Sequence, residues 1–342
     1  MPRTRTSSAT AAATVPDAFP AATGRPRRLL RALAIVSCVP YIGLKSAWIA
    51  GSRVGIPDGS VLLDDRVQTA VVNGLSLLMD SAVIVLALVL TRPWGLRTPA
   101  WLLAFPVWAA TGLLAPIMAG FPLQLLARLA GGGSGTGRSG EPFLDEWVFA
   151  VIYTGFILQG LALGALFVLY ARGRWGHLWH GRVGELPAGS VGAAQRALSG
   201  AAALLALFPL AARLSWVGGG TAGLSESLTA ERGSDFYVLE FLYIGFLAAA
   251  VAGGLLLAFR WGRVLPVAVP LGLAWVGSAA VACWGGWMSL ASIGAVDDVA
   301  DQPTALMHLT YSGQMIVGIL VAAVGAHHFA ERSTGAARRR AA

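Results

Sequence analysis

The sequence predicts an all-α integral membrane protein: eight transmembrane helices built as two parallel four-helix repeats. Three observations carry this expectation: scarce charge, long apolar runs, and matches between the two halves. Of 342 residues, 56% are hydrophobic and 12% charged. A soluble domain is about 45–50% apolar and about 25% charged. Mean hydropathy of +0.67 agrees. These values exclude a soluble globular enzyme and a disordered chain. They also exclude a nucleic-acid partner, despite a net charge of +8 and a pI ≈ 10.3.

A helix needs about 20 apolar residues to cross the hydrocarbon core. Eight runs qualify: 29–51, 67–91, 96–118, 146–171, 193–217, 235–259, 264–288 and 305–330. The first follows an Arg-rich segment but lacks a small-residue cleavage site before a soluble domain. It therefore reads as a retained span rather than a signal peptide. The domain plan follows. Residues 1–28, rich in Ser, Thr, Ala and Pro, form a disordered cytoplasmic tail. Residues 29–172 form the first membrane repeat and 173–192 a basic cytoplasmic linker. Residues 193–331 form the second repeat and 332–342 a basic cytoplasmic tail.

Charge orients the spans. Lys45 is the only lysine, so basicity rests on arginine. Arg3, Arg5, Arg25, Arg27, Arg28 and Arg31 precede span 1. Arg92 and Arg97 follow span 2; Arg172, Arg174, Arg182 and Arg196 follow span 4. Arg260 and Arg263 follow span 6, and Arg332, Arg338, Arg339 and Arg340 follow span 8. The opposite loops hold acids: Asp58, Asp64, Asp65, Glu141, Asp145, Glu146, Glu226, Glu231, Asp235, Asp297, Asp298 and Asp301. The positive-inside rule puts both termini in the cytoplasm of a cell-membrane protein. Tryptophans fit headgroup belts, with Trp48, Trp147 and Trp216 at the outer boundary. Trp94, Trp175, Trp179 and Trp261 fall at the inner one.

The halves match. At an offset of 167, Trp94 falls on Trp261, Gly95 on Gly262, Pro99 on Pro266 and Trp108 on Trp275. YTGFILQGL from Tyr153 resembles YSGQMIVGI from Tyr311. Lys45-Ser-Ala-Trp48-x-x-Gly51 resembles Arg213-Leu-Ser-Trp216-x-x-Gly219, each after a proline, Pro40 or Pro209. Three matches in the same order indicate duplication. Four spans per unit is even, so the repeats are parallel. Such repeats occur in transporters and elsewhere.

Polar groups within the spans are where function is sought. Thr69, Asn73, Ser76 and Asp80 are spaced 4, 3 and 4, one face of a helix. Asp80 lies roughly 20 Å below the outer boundary and Lys45 about 9 Å. Gln159 on span 4 reaches the depth of Asp80 and is the expected donor to it. Asn73 and Tyr153 share the level of Lys45. In the second unit the matched residues are Arg213, Glu240 and Tyr311; Asn73 maps to Glu240 and Ser76 to Tyr243. Each unit thus pairs a cation on its first helix with a polar group on its second. Snorkelling and structural ion pairing explain these pairs as well as function does. Asp80 differs, because its counterpart is Leu247. Gly155, Gly160, Gly164, Gly313 and Gly318 read as helix-packing points.

Other chemistries find no pattern. Cys38 and Cys283 sit in apolar runs and form no Cys-x-x-Cys spacing. His177, His180, His308, His327 and His328 offer no matched pair for a bis-His haem. His177-x-x-His180 belongs to a basic interfacial segment. GGGSGTGRSG between spans 3 and 4 lacks the lysine and strand of a phosphate loop, and reads as a flexible insertion. H-E-x-x-H and G-x-S-x-G motifs are missing. Asp64-Asp65 and Asp297-Asp298 read as solvated loop charge. No catalytic residue, metal site or cofactor is expected; an integral membrane enzyme stands as the third reading, since no catalytic constellation is visible in the sequence.

PYIGLKSAWIAG (Pro40–Gly51) and RPWGLRTPAW (Arg92–Trp101) resemble a group of uncharacterised multi-pass membrane proteins of actinobacteria. In that group P-Y-x-x-L-K-x-x-W-x-x-G and P-W-G-x-x-x-P segments recur. The resemblance implies an actinobacterial source and a membrane fold, and carries no activity over.

The leading functional expectation is a transporter or small-ligand-binding membrane protein. Its site, between the repeats, is lined by Lys45, Asn73, Asp80, Tyr153, Gln159, Arg213, Glu240 and Tyr311. Its partners are the lipid bilayer and a small molecule or ion; the sequence names no protein partner. The alternative is an accessory or scaffold subunit whose intramembrane polar residues fix packing. The orientation is directly testable. A fluorescent reporter that folds only in the cytoplasm, fused after Ala342, is expected to fluoresce. The same reporter inserted at Gly135 is expected to stay dark.

Overall fold

Hydrocarbon offers backbone N–H and C=O groups no water to bond, so a spanning chain satisfies them within helices. The protein follows this rule in a computed structural model that describes residues 24–58, 60–63, 66–131, 144–186, 192–230, 232–292 and 302–341. Most of the N-terminal tail lies outside the described residues. So do Asp64-Asp65, Glu141, Glu231, Asp297, Asp298, Asp301 and all but the first glycine of the Gly/Ser insertion. Among the described residues, eight segments are long and apolar enough to cross a membrane. The chain is a multi-pass, all-helical protein whose apolar helices imply a lipid bilayer.

Helices α1 (Arg25–Val36) and α2 (Val39–Ile49) make the first span; α3 (Arg66–Val89), α4 (Ala100–Leu129) and α5 (Glu146–Trp179) follow. The second half holds α6 (Ala193–Val217), a short α7 (Glu226–Ala230), α8 (Ser234–Phe259), α9 (Ala268–Ala291) and α10 (Ala305–Ala341). α1 and α2 pack with α3 and α5; α6, α8, α9 and α10 pack together; α4 meets α5, α8 and α9.

Several expected boundaries move. Span 3, expected over 96–118, is helical over Ala100–Leu129, because Pro116 and Pro122 lie within the helix without ending it. Its end is tied to α8 by an Arg128–Asp235 ion pair. Span 4, expected to end at 171, runs to Trp179, so the 173–192 linker begins as helix. Arg174 fastens that extension by donating to the Thr98 carbonyl at 2.8 Å. The rest of the linker is not free. Val183 N–H donates to the Leu265 carbonyl (2.9 Å) and Val267 N–H to Gly181 (3.0 Å). That pairing keeps residues 264–267 out of span 7, which starts at Ala268. α1 begins at Arg25, inside the expected 1–28 tail. Span 1 is broken, with Ser37 and Cys38 between its two helices. Pro40 has no N–H to give Val36, which opens the helix there.

The connection after the first helix of each half has the same build. Trp48 Nε1 donates to the Val54 carbonyl (2.8 Å) and Trp216 Nε1 to Ala222 (3.0 Å). Gly51 and Gly219 hold φ of 95° and 97°, and Gly55 and Gly223 hold 73° and 74°. Side chains rarely adopt these angles, hence the glycines. Trp48 and Trp216 are therefore buried loop clamps rather than the belt anchors expected. Trp94, Trp147 and Trp261 are exposed, as belt residues are.

The two halves meet where α4 crosses α9. Trp108 Nε1 donates to Ser278 Oγ (3.0 Å), and Trp275 Nε1 donates to Thr111 Oγ1 (3.3 Å). Between them Gly112 lies against the Ala279 backbone, where an added Cβ would stand 2.2 Å from the carbonyl oxygen. Backbone cannot yield as a side-chain tip can. Gly112→Ala is expected to cost about 1–3 kcal/mol. Gly164→Ala, where a Cβ meets nothing within 4 Å, is expected to be neutral or slightly stabilising. Thermal unfolding of the two variants in the same detergent checks the contrast.

Candidate functional site

α2 and α3 run antiparallel, and their facing polar residues fall on successive turns. The first rung joins Lys45 Nζ to Asn73 Oδ1 at 2.7 Å. Lys45 also lies over the rings of Tyr41 and Trp48, at 5.0 and 4.8 Å. Aromatic faces attract a cation, and more so when it is desolvated. In the second rung Tyr41 meets Ser76. The third is deepest: Gln159 Nε2 donates to Asp80 Oδ1 at 3.3 Å, and Cys38 Sγ donates to Gln159 Oε1 at 3.1 Å. Cys38 occupies the break between α1 and α2, which brings its thiol to α5. The Ser37 carbonyl of the same break lies 3.0 Å from where a Cβ on Gly155 would stand. Asp80 is 3% exposed.

Two buried atoms here have no hydrogen-bond partner, Asp80 Oδ2 and Asn73 Nδ2. A carboxylate at this depth costs about 2.5–3.5 kcal/mol on insertion scales if it stays charged. One amide donor does not satisfy its acceptor capacity.

The second half holds a different cluster. Arg213 Nη1 donates to Glu240 Oε1 at 2.7 Å, and Nη2 to Gln314 Oε1 at 2.9 Å. The guanidinium lies 4.0 Å from the Tyr243 ring centroid and 5.9 Å from that of Trp216. Arg213 is 2% exposed, so it is sealed in the bundle rather than snorkelling. Tyr311 sits within the field of this pair and packs in the Trp216 cluster.

The candidate residues therefore form two groups. Lys45, Asn73, Asp80 and Gln159 gather among α2, α3 and α5. Tyr153 lies near Tyr41 and stacks on Phe121 and Phe149, at 4.8 and 6.2 Å. Arg213, Glu240 and Tyr311 gather among α6, α8 and α10. The expected single site between the halves is not what these bonds build, since each bond stays within one half. The seam between the halves carries the Trp–hydroxyl pairs and small residues instead. A groove of about 420 Å³ between α8 and α9 is apolar, lined by Phe241, Gly245, Gly272 and Val276 among others, and none of its lining residues belongs to the Asp80 cluster.

Gln314, Cys38 and Tyr41 complete the clusters and were not singled out from the sequence as site residues. Each carried a helical-spacing signal. Gln314 lies three residues after Tyr311, and Tyr41 and Cys38 lie four and seven before Lys45. Among the described residues, no group of three or more His, Cys, Asp or Glu side chains is placed to hold a metal. In comparisons with family models, curated proteins and solved structures, nothing matches the chain.

Removing one partner of a buried ion pair strands the other. Arg213→Met is expected to cost about 3–5 kcal/mol. R213M/E240M is expected to recover most of that loss. Lys45→Met, at a half-buried site facing a neutral amide, is expected to cost about 1 kcal/mol. Chemical or thermal unfolding in detergent reads all three.

Proposed function

We propose that this chain binds a proton or small cation inside its first four-helix unit, as an ion-coupled membrane transporter does. We further infer that it consists of two parallel repeats, with both termini in the cytoplasm. On this reading it belongs with the actinobacterial membrane proteins that its Pro40–Gly51 and Arg92–Trp101 motifs resemble. The matched tryptophan clamps, the equal glycine angles and the reciprocal Trp108–Ser278 and Trp275–Thr111 bonds support the repeats. In those bonds each partner is the other's counterpart at the 167 offset, as a twofold axis along the membrane normal requires.

One observation carries the site. In the repeat alignment, Cys38, Asp80 and Gln159 correspond to Ala206, Leu247 and Val317. Those three are buried together in one apolar cluster of the second half. The same architecture thus closes at this level without polar atoms. In the first unit the level holds a carboxylate with one oxygen lacking a partner, beside a broken helix. Broken spans and buried carboxylates mark ion sites in transporters.

A second reading, an accessory subunit with structural polar residues, is favoured by the near-complete burial of Asp80. Infrared difference spectroscopy separates the two readings. Full-length protein in lipid nanodiscs is expected to show a carboxylic-acid carbonyl band that titrates with pH and disappears in Asp80→Asn. A spectrum in which D80N matches wild type at every pH would leave the accessory reading standing.

A further inference from the structure

The polar rungs reach Asp80 from one face only. Thr69 donates to the Leu62 carbonyl at 2.9 Å, at the loop end of α3. Below it come Asn73 with Lys45, Ser76 with Tyr41, and Asp80 with Gln159 and Cys38. From Asn73 to Asp80 is about 10 Å along the helix. Past Asp80 the character changes at once. Val83, Leu86 and Ala87 of α3, and Leu90 just after it, are buried with Ala34, Leu163 and Leu166. That apolar plug runs about 15 Å to the Arg92 end of the helix.

We propose that α2, α3 and α5 form a one-sided proton well, in which Asp80 exchanges a proton with solvent at the Lys45 face and is sealed from the opposite face. The inference rests on Asp80 being an ion site and adds the ion's identity and its route. The transfer is simple. A protonated Asp80 gives its proton to a chain of hydroxyls and water along Ser76, Tyr41 and Asn73, and the proton leaves at Lys45. Uptake runs the same path in reverse.

Three features select a proton over a metal cation. Among the described residues Asp80 is the only carboxylate in its cluster, and its hydrogen-bond partner is an amide. No described cluster of three metal-ligating side chains exists. The Lys45 ammonium guards the rim, where it repels a metal cation but does not block proton relay through hydroxyl groups. The two unpartnered buried atoms, Asp80 Oδ2 and Asn73 Nδ2, are an acceptor and a donor on one face of α3. A water chain needs both.

The groups facing Asp80 are few. The break before α2 presents Cys38, α2 presents Tyr41 and Lys45, and α5 presents Gln159, with Tyr153 near Tyr41. The neighbouring apolar cluster draws Ala34 from α1 and Leu103 and Val107 from α4. Lys45 is the charge whose field reaches the carboxylate.

A cysteine ladder tests the route. In a C283A background that keeps the buried Cys38, Ser76→Cys, Asp80→Cys, Val83→Cys and Ala87→Cys are each challenged with a membrane-impermeant thiol reagent and compared with the C283A parent. Vesicles of both orientations are used. Positions 76 and 80 are expected to react at least tenfold faster from the Lys45 face. Positions 83 and 87 are expected to stay unreactive from either face. Reaction at 80 from the opposite face, or none at 76 and 80 from either, overturns the well. If D80C fails to fold, the contrast between S76C and V83C decides alone. The infrared titration of wild type separates this from the wider reading. A titrating Asp80 with reversed or two-sided labelling removes the well and keeps the ion site; no titration removes both. Replacing choline chloride by sodium chloride at constant pH is expected to leave the Asp80 band unmoved. A sodium-dependent shift overturns the proton as ligand.

Discussion

Close backbone contact along α9 holds this bundle together. Lipid tails are as apolar as leucine, so helices in a bilayer gain little from hiding hydrophobic surface. They gain from dispersion contacts and interhelical hydrogen bonds, and both require small residues at the crossing. α9 supplies them. Gly277 lies against the Ala250 backbone of α8, and Gly318 of α10 lies against Ser278 and Ala282. Gly112 of α4 comes in from the other half onto Ala279. More than half of the apolar window of α9 is buried, against a third or less in the other spans. A helix gripped on three sides is a frame, which leaves the first-half helices α2 and α3 more exposed and free to carry something else.

That asymmetry organises the functional account. In the second half the corresponding helices are continuous and their polar groups close on themselves as Arg213–Glu240–Gln314. In the first half the leading span is broken and its polar groups descend in steps to a carboxylate. Both halves place a cation opposite a polar partner one level below the loop clamp. The shared rung therefore belongs to the architecture. The deeper rung belongs to one half alone, and stability does not call for it: a half-satisfied buried polar group costs about 1–3 kcal/mol.

Much of this was legible in the sequence, for physical reasons. The bilayer imposes a length and an apolar composition on each span, so eight runs correspond to eight described segments long and apolar enough to cross a membrane. Helical spacing put Asn73 and Asp80 on one face, and depth counting paired Asp80 with Gln159. Helix ends were less legible, because prolines act in context. Pro116 and Pro122 let α4 continue, whereas Pro40 opens the first span. The placing of the site was not legible at all. Matching residues in two halves of a sequence suggests a shared central pocket, yet the hydrogen bonds of each set stay within their own half. Only tertiary packing shows that the seam is filled by Trp108, Gly112, Trp275 and Ala279.

The proposed proton well makes Asp80 Oδ2 a terminus for protons arriving from the Lys45 face. The most direct test is an experimental structure in lipid nanodiscs at a resolution that shows ordered water. A water is expected on Asp80 Oδ2, linked through Ser76 and Asn73 Nδ2 toward Lys45, with none between Asp80 and Arg92. A dry, apolar contact on Oδ2, or a second protein donor bonded to it, would rule out the proton well.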